Sequence, residues 1–191
     1  TGFLWRSLRI SCTVMGEFER TQYHYMKQKR MFITKPARHR GVYALLLVLC
    51  ALPLTAAHYL QSVLDLAPCP LCVAQRYGYW LMGIFALAGL LKGCLPRWAD
   101  VSAALIGLLG AGIAVYHLWI IAHPASECVK DEVEQWMNAL PTARWFPEWF
   151  SASGSCTAKL PLIFGLQIPM WSLIGLAGIA LMWLVFVLKR R

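Results

Sequence analysis

Four cysteines have the types and spacing to do chemistry: a pair in Pro68-Cys69-Pro70-Leu71-Cys72 at the mouth of a hydrophobic run, and Cys128 with Cys156 in the one long polar segment. Pro70 lacks an N–H and has a fixed φ, which suits the first position of a helix, so Cys69 reads as the N-cap and Cys72 as the third helical residue. Both sulfurs then lie beside unpaired backbone N–H groups at the positive end of the helix dipole, where a thiolate is stabilised. Arg76 follows Cys72 by four residues. That spacing puts its guanidinium on the same helix face one turn deeper, placed to stabilise a thiolate or the oxygen of an acceptor. A dithiol at the boundary of water and lipid, with a second one above it, can pass electrons between a water-soluble thiol and something dissolved in lipid.

The elements that must position these sulfurs are apolar and long. Apolar residues make up 59% of the chain, charged residues 14%, and the mean hydropathy is +0.54. Four runs, Gly41 to Leu60, Leu71 to Leu91, Val101 to Ala122 and Ile168 to Leu188, each approach the thickness of a bilayer. The last has no charge, and at 1.5 Å per residue it reaches about 30 Å, the depth of the hydrocarbon core. Only helices satisfy their own backbone in lipid, so the expected fold is all-α: a four-transmembrane-helix bundle over residues 41–191, with a long loop, 123–167, between the third and fourth helices. Arg38 and Arg40, Lys92 and Arg97, and Lys189 to Arg191 mark one side as cytoplasmic by the positive-inside rule. The Cys69/Cys72 turn and the 123–167 loop fall on the other side, which in a bacterium is the oxidising periplasm.

The net charge of +9 is concentrated in residues 1–40, which hold nine Lys/Arg against two Glu. This reads as a solvated cytoplasmic tail against anionic lipid, and no nucleic-acid partner is expected. Met31 stands just ahead of the basic flank Lys35, Arg38 and Arg40, so residues 1–30 are expected to be an upstream extension. Val42 to Leu52 followed by Thr55-Ala56-Ala57 also resembles a signal peptide, but the run to Leu60 is long enough to stay in the bilayer.

The same cysteines admit other arrangements. Cys69, Cys72, Cys128 and Cys156 could supply four sulfur ligands to zinc, although Cys128 and Cys156 are 28 residues apart and form no second Cys-x-x-Cys. Two static disulfides are another reading, in which a Cys128–Cys156 bridge contributes roughly 3 to 4 kcal/mol by loop closure. A non-enzymatic assembly or transport protein would then be the function, and its bundle should carry an ionisable residue at mid-depth. Arg76 and His117 both fall near the outer face. Cys12, Cys50 and Cys94 read as inert. Gly107, Gly110 and Gly112 lie inside an apolar helix and read as close helix packing, not as a dinucleotide loop. Haem attachment is excluded because Val73 follows Cys72. A lipid-soluble two-electron carrier remains as the acceptor, and a quinone fits the location.

Taken in order, Pro68-Cys69-x-x-Cys72-x-x-x-Arg76, Cys128, Leu140-Pro141-x-x-x-Trp145, Ala152-Ser153-Gly154-Ser155-Cys156 and Phe164-Gly165-Leu166-x-Ile168-Pro169-x-Trp171 resemble the disulfide bond formation protein B (DsbB) family over about residues 41–188. The resemblance implies an inner-membrane oxidase that reoxidises a soluble periplasmic DsbA-like partner and delivers the electrons to ubiquinone or menaquinone. By position, it implies that the partner's thiolate attacks Cys128, that Cys156 then attacks Cys69, and that Cys72 leaves as a thiolate in contact with the quinone beside Arg76. His117 resembles a histidine near the family's quinone site, and an interfacial histidine without a role is an equal reading. Gln75 occupies a place where a carboxylate can stand. Trp145, Phe146, Trp149 and Phe150 are expected to form an interfacial aromatic strip, or else a packed loop core. A rival with related chemistry, vitamin K epoxide reductase, would carry its Cys-x-x-Cys on a later helix.

Overall fold

The computed structural model describes residues 39–123, 130–158 and 162–189, without the side chains of 130 and 131. The basic tail through residue 38, with the start expected at Met31, and Cys12, Cys128, Arg190 and Arg191 lie outside the described residues. Within them the chain is helical: α1 His39–Leu64, α2 Pro70–Lys92, α3 Arg97–Ala122, α4 Lys130–Ala139, α5 Pro141–Trp145, α6 Pro147–Phe150 and α7 Ile168–Lys189. One isolated bridge pairs Ile163 with Leu166.

α1, α3 and α7, of 26, 26 and 22 residues, are long and apolar enough to cross a membrane. α2 has 23 residues, equally sufficient in length, but Gln75 and Arg76 in its second turn lower its apolar character. The helices also outrun the expected apolar spans. α3 starts at Arg97 because Pro96 caps it, and its polar first turn places Asp100 at the positive end of the dipole. α1 continues to Leu64, four residues past the apolar run, and so brings Gln61 to the far end of the bundle.

The core lies where α3 meets α7 and α2, and small residues permit the close approach. A Cβ on Gly107 would meet Ala180 Cβ and Met82 Sδ at 2.8 Å, and one on Gly110 would meet Leu176 at 3.1 Å. Gly112 departs from the expected packing role: nothing lies within 4 Å of its added Cβ, because it sits off the contact face. At the end that carries Arg40, Lys92, Arg97 and Lys189, Tyr43 binds three elements together. Its hydroxyl donates to Asp100 Oδ1 at 3.0 Å and accepts the Leu95 N–H at 3.2 Å. Its ring meets Phe186 edge-on at 5.3 Å.

At the opposite end, α4 to α6 fold back over α2. Pro141 and Pro147 open two short helices, each at a position where the missing N–H is harmless. Val73 of α2 is buried against Ala143, Phe150 and Ala152. Tyr77 stacks on Phe150 at 4.6 Å, and its hydroxyl hydrogen-bonds the Thr142 hydroxyl. The chain then makes a two-residue turn at Phe164 (φ 51) and Gly165 (φ 79), closed by bonds of 3.0 and 3.1 Å between Ile163 and Leu166, before entering α7.

Candidate functional site: a buried dithiol facing a third cysteine

The start of α2 is built as Pro70 dictates. Cys69 is the N-cap, with an extended backbone, and its Sγ accepts the Cys72 N–H at 3.3 Å. The two sulfurs stand 3.0 Å apart, so about one ångström of movement separates them from disulfide bonding distance. Cys69 is 4% exposed, while Cys72 is partly open.

The polar segment delivers a third sulfur to this helix tip. Ser153 and Gly154 both donate their N–H to Pro68 O at 3.1 Å, which lays the 152–156 strand of chain directly on the 67–69 turn. Gly154 is obligatory there, because any Cβ would run into Ala67 O. Asn138 fixes the approach from the other side: its amide donates to Ala152 O and accepts from Ala152 N, both at 2.8 Å. Cys156, 6% exposed, is thereby buried with Cys69 and Ile120. Its hydrogen bond with Cys69, and then burial, push the Cys156 thiol well above the ordinary thiol range.

His117 completes the cluster from α3 and is 1% exposed. Its Nε2 lies 3.2 Å from Cys156 O and 3.7 Å from Cys69 Sγ. A carbonyl only accepts, so Nε2 carries the proton, and Nδ1 is left to accept from Gln75 Nε2 at 3.4 Å. Cys69, Cys156 and His117 place Sγ, Sγ and a ring nitrogen within 4.8 Å of one another. Cys72 Sγ lies beside the cluster, 3.0 Å from Cys69 Sγ and 4.0 Å from His117 Nδ1.

Arg76 occupies the expected face, one turn below Cys72, and is 8% exposed. Its Nη1 donates to Gln61 Oε1 at 3.0 Å and to Trp149 O at 3.2 Å. Gln61 in turn donates to Glu148 O at 3.0 Å, so α1, α2 and α6 are tied together around one guanidinium. Trp149 is sandwiched further by His58, stacked at 4.5 Å, and by Trp80. The aromatic strip therefore divides. Trp145 is 72% exposed and Phe146 is also open, whereas Phe150 is buried and Trp149 packs inward.

Cys69, Cys72, Gln75 and Arg76 close one end of a cavity of about 680 Å³. Its remaining walls are mostly apolar and come from α1, α7 and the 163–164 turn, including Leu60, Phe164, Ile168 and Trp171. Such a volume suits a small organic ligand. Gln61 and Asn138 escaped the sequence reading, because they act through partners far away in the chain. Gln75 was noted there only as standing where a carboxylate can, and its place three residues after Cys72 is the signal that could have marked it. Cys50 is buried in α1 and Cys94 is exposed near the basic end, both remote from the cluster.

Spanning-length apolar helices around a dithiol with a third cysteine held against it define a class: a membrane oxidoreductase that works on sulfur. A family model described as disulfide bond formation protein DsbB matches residues 39–186. Disulfide bond formation protein B of Ralstonia nicotianae is 39% identical over 155 residues, covering 81% of this chain and 98% of that one. The Cupriavidus necator protein of the same name is 41% identical over 151 residues, 78% and 93% of the two chains. That of Burkholderia mallei is 36% identical over 156 residues, 81% and 92%. The chain belongs to the disulfide bond formation protein B family and is a membrane protein of disulfide bond formation.

Proposed function

We propose that this chain is a four-span oxidase of a bacterial inner membrane, with both termini cytoplasmic and its redox cysteines periplasmic. It reoxidises a soluble DsbA-like dithiol oxidase and passes the electrons to ubiquinone or menaquinone. α2 is the fourth span, since its helix lies alongside α3 and α7 and the Tyr43 network joins its basic end to theirs. Arg40, Lys92, Arg97 and Lys189 at that end support a cytoplasmic orientation.

The observation that carries the reading is the placement of Cys156 against Cys69 at the mouth of the cavity, where Cys72 is the more open of the two helix-tip sulfurs. A partner thiolate attacks Cys128 in a Cys128–Cys156 bridge, which frees Cys156. Cys156 then attacks Cys69 in a Cys69–Cys72 bridge, and Cys72 departs as a thiolate at the helix tip. His117 donates from Nε2 toward the Cys156 carbonyl and Cys69, which holds the attacking and attacked sulfurs in register. The departing Cys72 sits one turn above Arg76, whose charge offsets its own.

The residues around the cavity fit a quinone: apolar walls for the ring and tail, and a guanidinium and a carboxamide at the polar end. When bound there, a quinone supplies a lipid-soluble acceptor for two electrons. Arg76, Gln75 and Cys72 would hold its head, and Leu60, Ile168 and Trp171 its apolar surface. The test uses purified protein, a reduced thioredoxin-like partner and a soluble quinone analogue, with quinone loss followed optically. Wild type should turn over and Cys72→Ser should not; equal rates would remove Cys72 from the acceptor role. Arg76→Ala should raise KM for the quinone more than it lowers kcat, and unchanged kinetics would leave Arg76 as an anchor for α6 alone.

A further inference from the structure

The cluster that the relay needs only transiently is also a ligand set. We propose that the reduced protein binds one thiophilic divalent cation, Zn²⁺ or Cd²⁺, through Cys69 Sγ, Cys156 Sγ and His117 Nε2, and that the bound ion arrests the relay.

Donor chemistry sets the class of metal. Two thiolates and an imidazole select zinc-like ions over Mg²⁺ or Ca²⁺, which take oxygen, and the cluster contains no carboxylate. Geometry agrees with that class. Bonds of about 2.3 Å to sulfur and about 2.0 Å to nitrogen in a tetrahedron put neighbouring donors about 3.5 to 3.8 Å apart. Cys69 Sγ and His117 Nε2 are separated by 3.7 Å, and the three donor atoms all fall within 4.8 Å of one another. Cys72 Sγ, 3.0 Å from Cys69 Sγ, is close enough to become a fourth ligand after a small opening of that pair.

The surroundings can accept the ion. All three ligands are buried, so little bulk water competes, and they come from three separate parts of the chain already locked together by Gly154, Asn138 and the α2 cap. Binding displaces the thiol protons of Cys69 and Cys156, leaving a neutral two-thiolate site. His117 must move its proton from Nε2 to Nδ1. Gln75 accommodates either tautomer, because rotating its carboxamide replaces the donor at Nδ1 with an acceptor. With Cys156 and Cys69 both committed to metal, neither sulfur is available for exchange. The site exists only while the cysteines are reduced, since either disulfide of the relay removes a ligand.

The measurement is a Cd²⁺ titration of the full-length, detergent-solubilised chain, reduced and then freed of reductant. Binding is followed by thiolate-to-cadmium ultraviolet absorption and metal counting. One Cd²⁺ should bind per reduced chain, and none after oxidation of the thiols by diamide. Cys156→Ser and His117→Ala should each weaken binding by about tenfold or more. Cys94→Ser should bind as wild type does. His117→Ala separates this site from others that use Cys156, and His117→Cys, which restores a soft ligand, should recover affinity, a recovery that misfolding of the first variant would not give. Wild-type affinity in both Cys156→Ser and His117→Ala would reduce the site to a Cys-x-x-Cys chelate and overturn the proposal, as would absence of stoichiometric binding or loss of binding in Cys94→Ser. None of these results depends on quinone turnover, so they stand apart from the oxidase reading.

Discussion

The two ends of the bundle are built on opposite terms. At the basic end, Tyr43, Leu95 and Asp100 form a buried network beneath Trp183 and Phe186, and Gly89 leaves room for nothing but the Tyr43 ring. At the thiol end the helices part around a cavity of about 680 Å³, and a segment of short helices is held down by single side chains: Asn138, Gln61 and Arg76. The first end stores stability. The second gives up packing so that sulfur, imidazole and guanidinium can be placed by hydrogen bonds and remain reachable.

On that division, substitutions at the thiol end should remove activity without unfolding the protein, and those at the basic end should do the reverse. Cys156→Ser should have the largest effect, with quinone-coupled turnover at background and a melting temperature near that of wild type. Gly154→Ala comes next. Its methyl group must displace the Ala67 carbonyl, moving Cys156 off Cys69, and an ångström of misplacement costs about 100-fold in turnover. Wild-type turnover in Gly154→Ala would mean that Cys156 does not depend on this docking.

A smaller effect is expected from pH. Because the hydrogen bond with Cys69 and burial raise the Cys156 thiol in the reduced protein, its thiolate fraction there grows about tenfold per pH unit until it titrates. The rate at which a small alkylating reagent labels Cys156 in the reduced protein should therefore rise with pH through the neutral and alkaline range. A flat labelling profile would show that the Cys69 contact does not hold the Cys156 proton. The least effect on turnover belongs to Tyr43→Phe. Removing its hydroxyl should destabilise the fold by about 1.5 to 3 kcal/mol, since it donates to a buried carboxylate, with turnover per folded molecule unchanged. Thermal melting in detergent, run beside the activity assay, separates the two outcomes.

What was legible in the sequence follows from the range of the interactions involved. Cys69 as N-cap and Arg76 on the Cys72 face are local consequences of Pro70 and of a four-residue spacing, and both stand in the structure. Gly107 and Gly110 could be read as packing residues, but Gly112 could not be told from them, because which side of α3 faces α7 is a tertiary fact. His117 was equally compatible with a silent interfacial position; the packing of α3 on the start of α2 brings it to Cys69 and Gln75, and the docking of 152–156 adds Cys156. Gln61 lies 15 residues from Arg76 and 87 from Glu148, and no local pattern connects them. The 123–167 loop read as one polar segment, yet Pro141 and Pro147 start helices within it and half of its aromatic strip turns inward.

The most direct measurement is disulfide mapping of the reduced Cys72→Ser, Cys128→Ser protein after oxidation by a small disulfide-forming reagent such as diamide. Without Cys72 and Cys128 neither bridge of the relay can form, so the sulfur presented to Cys69 should be caught there. A Cys69–Cys156 linked peptide as the dominant species is the predicted result. Cys69 recovered as a free thiol, or joined to any other cysteine, would contradict the account.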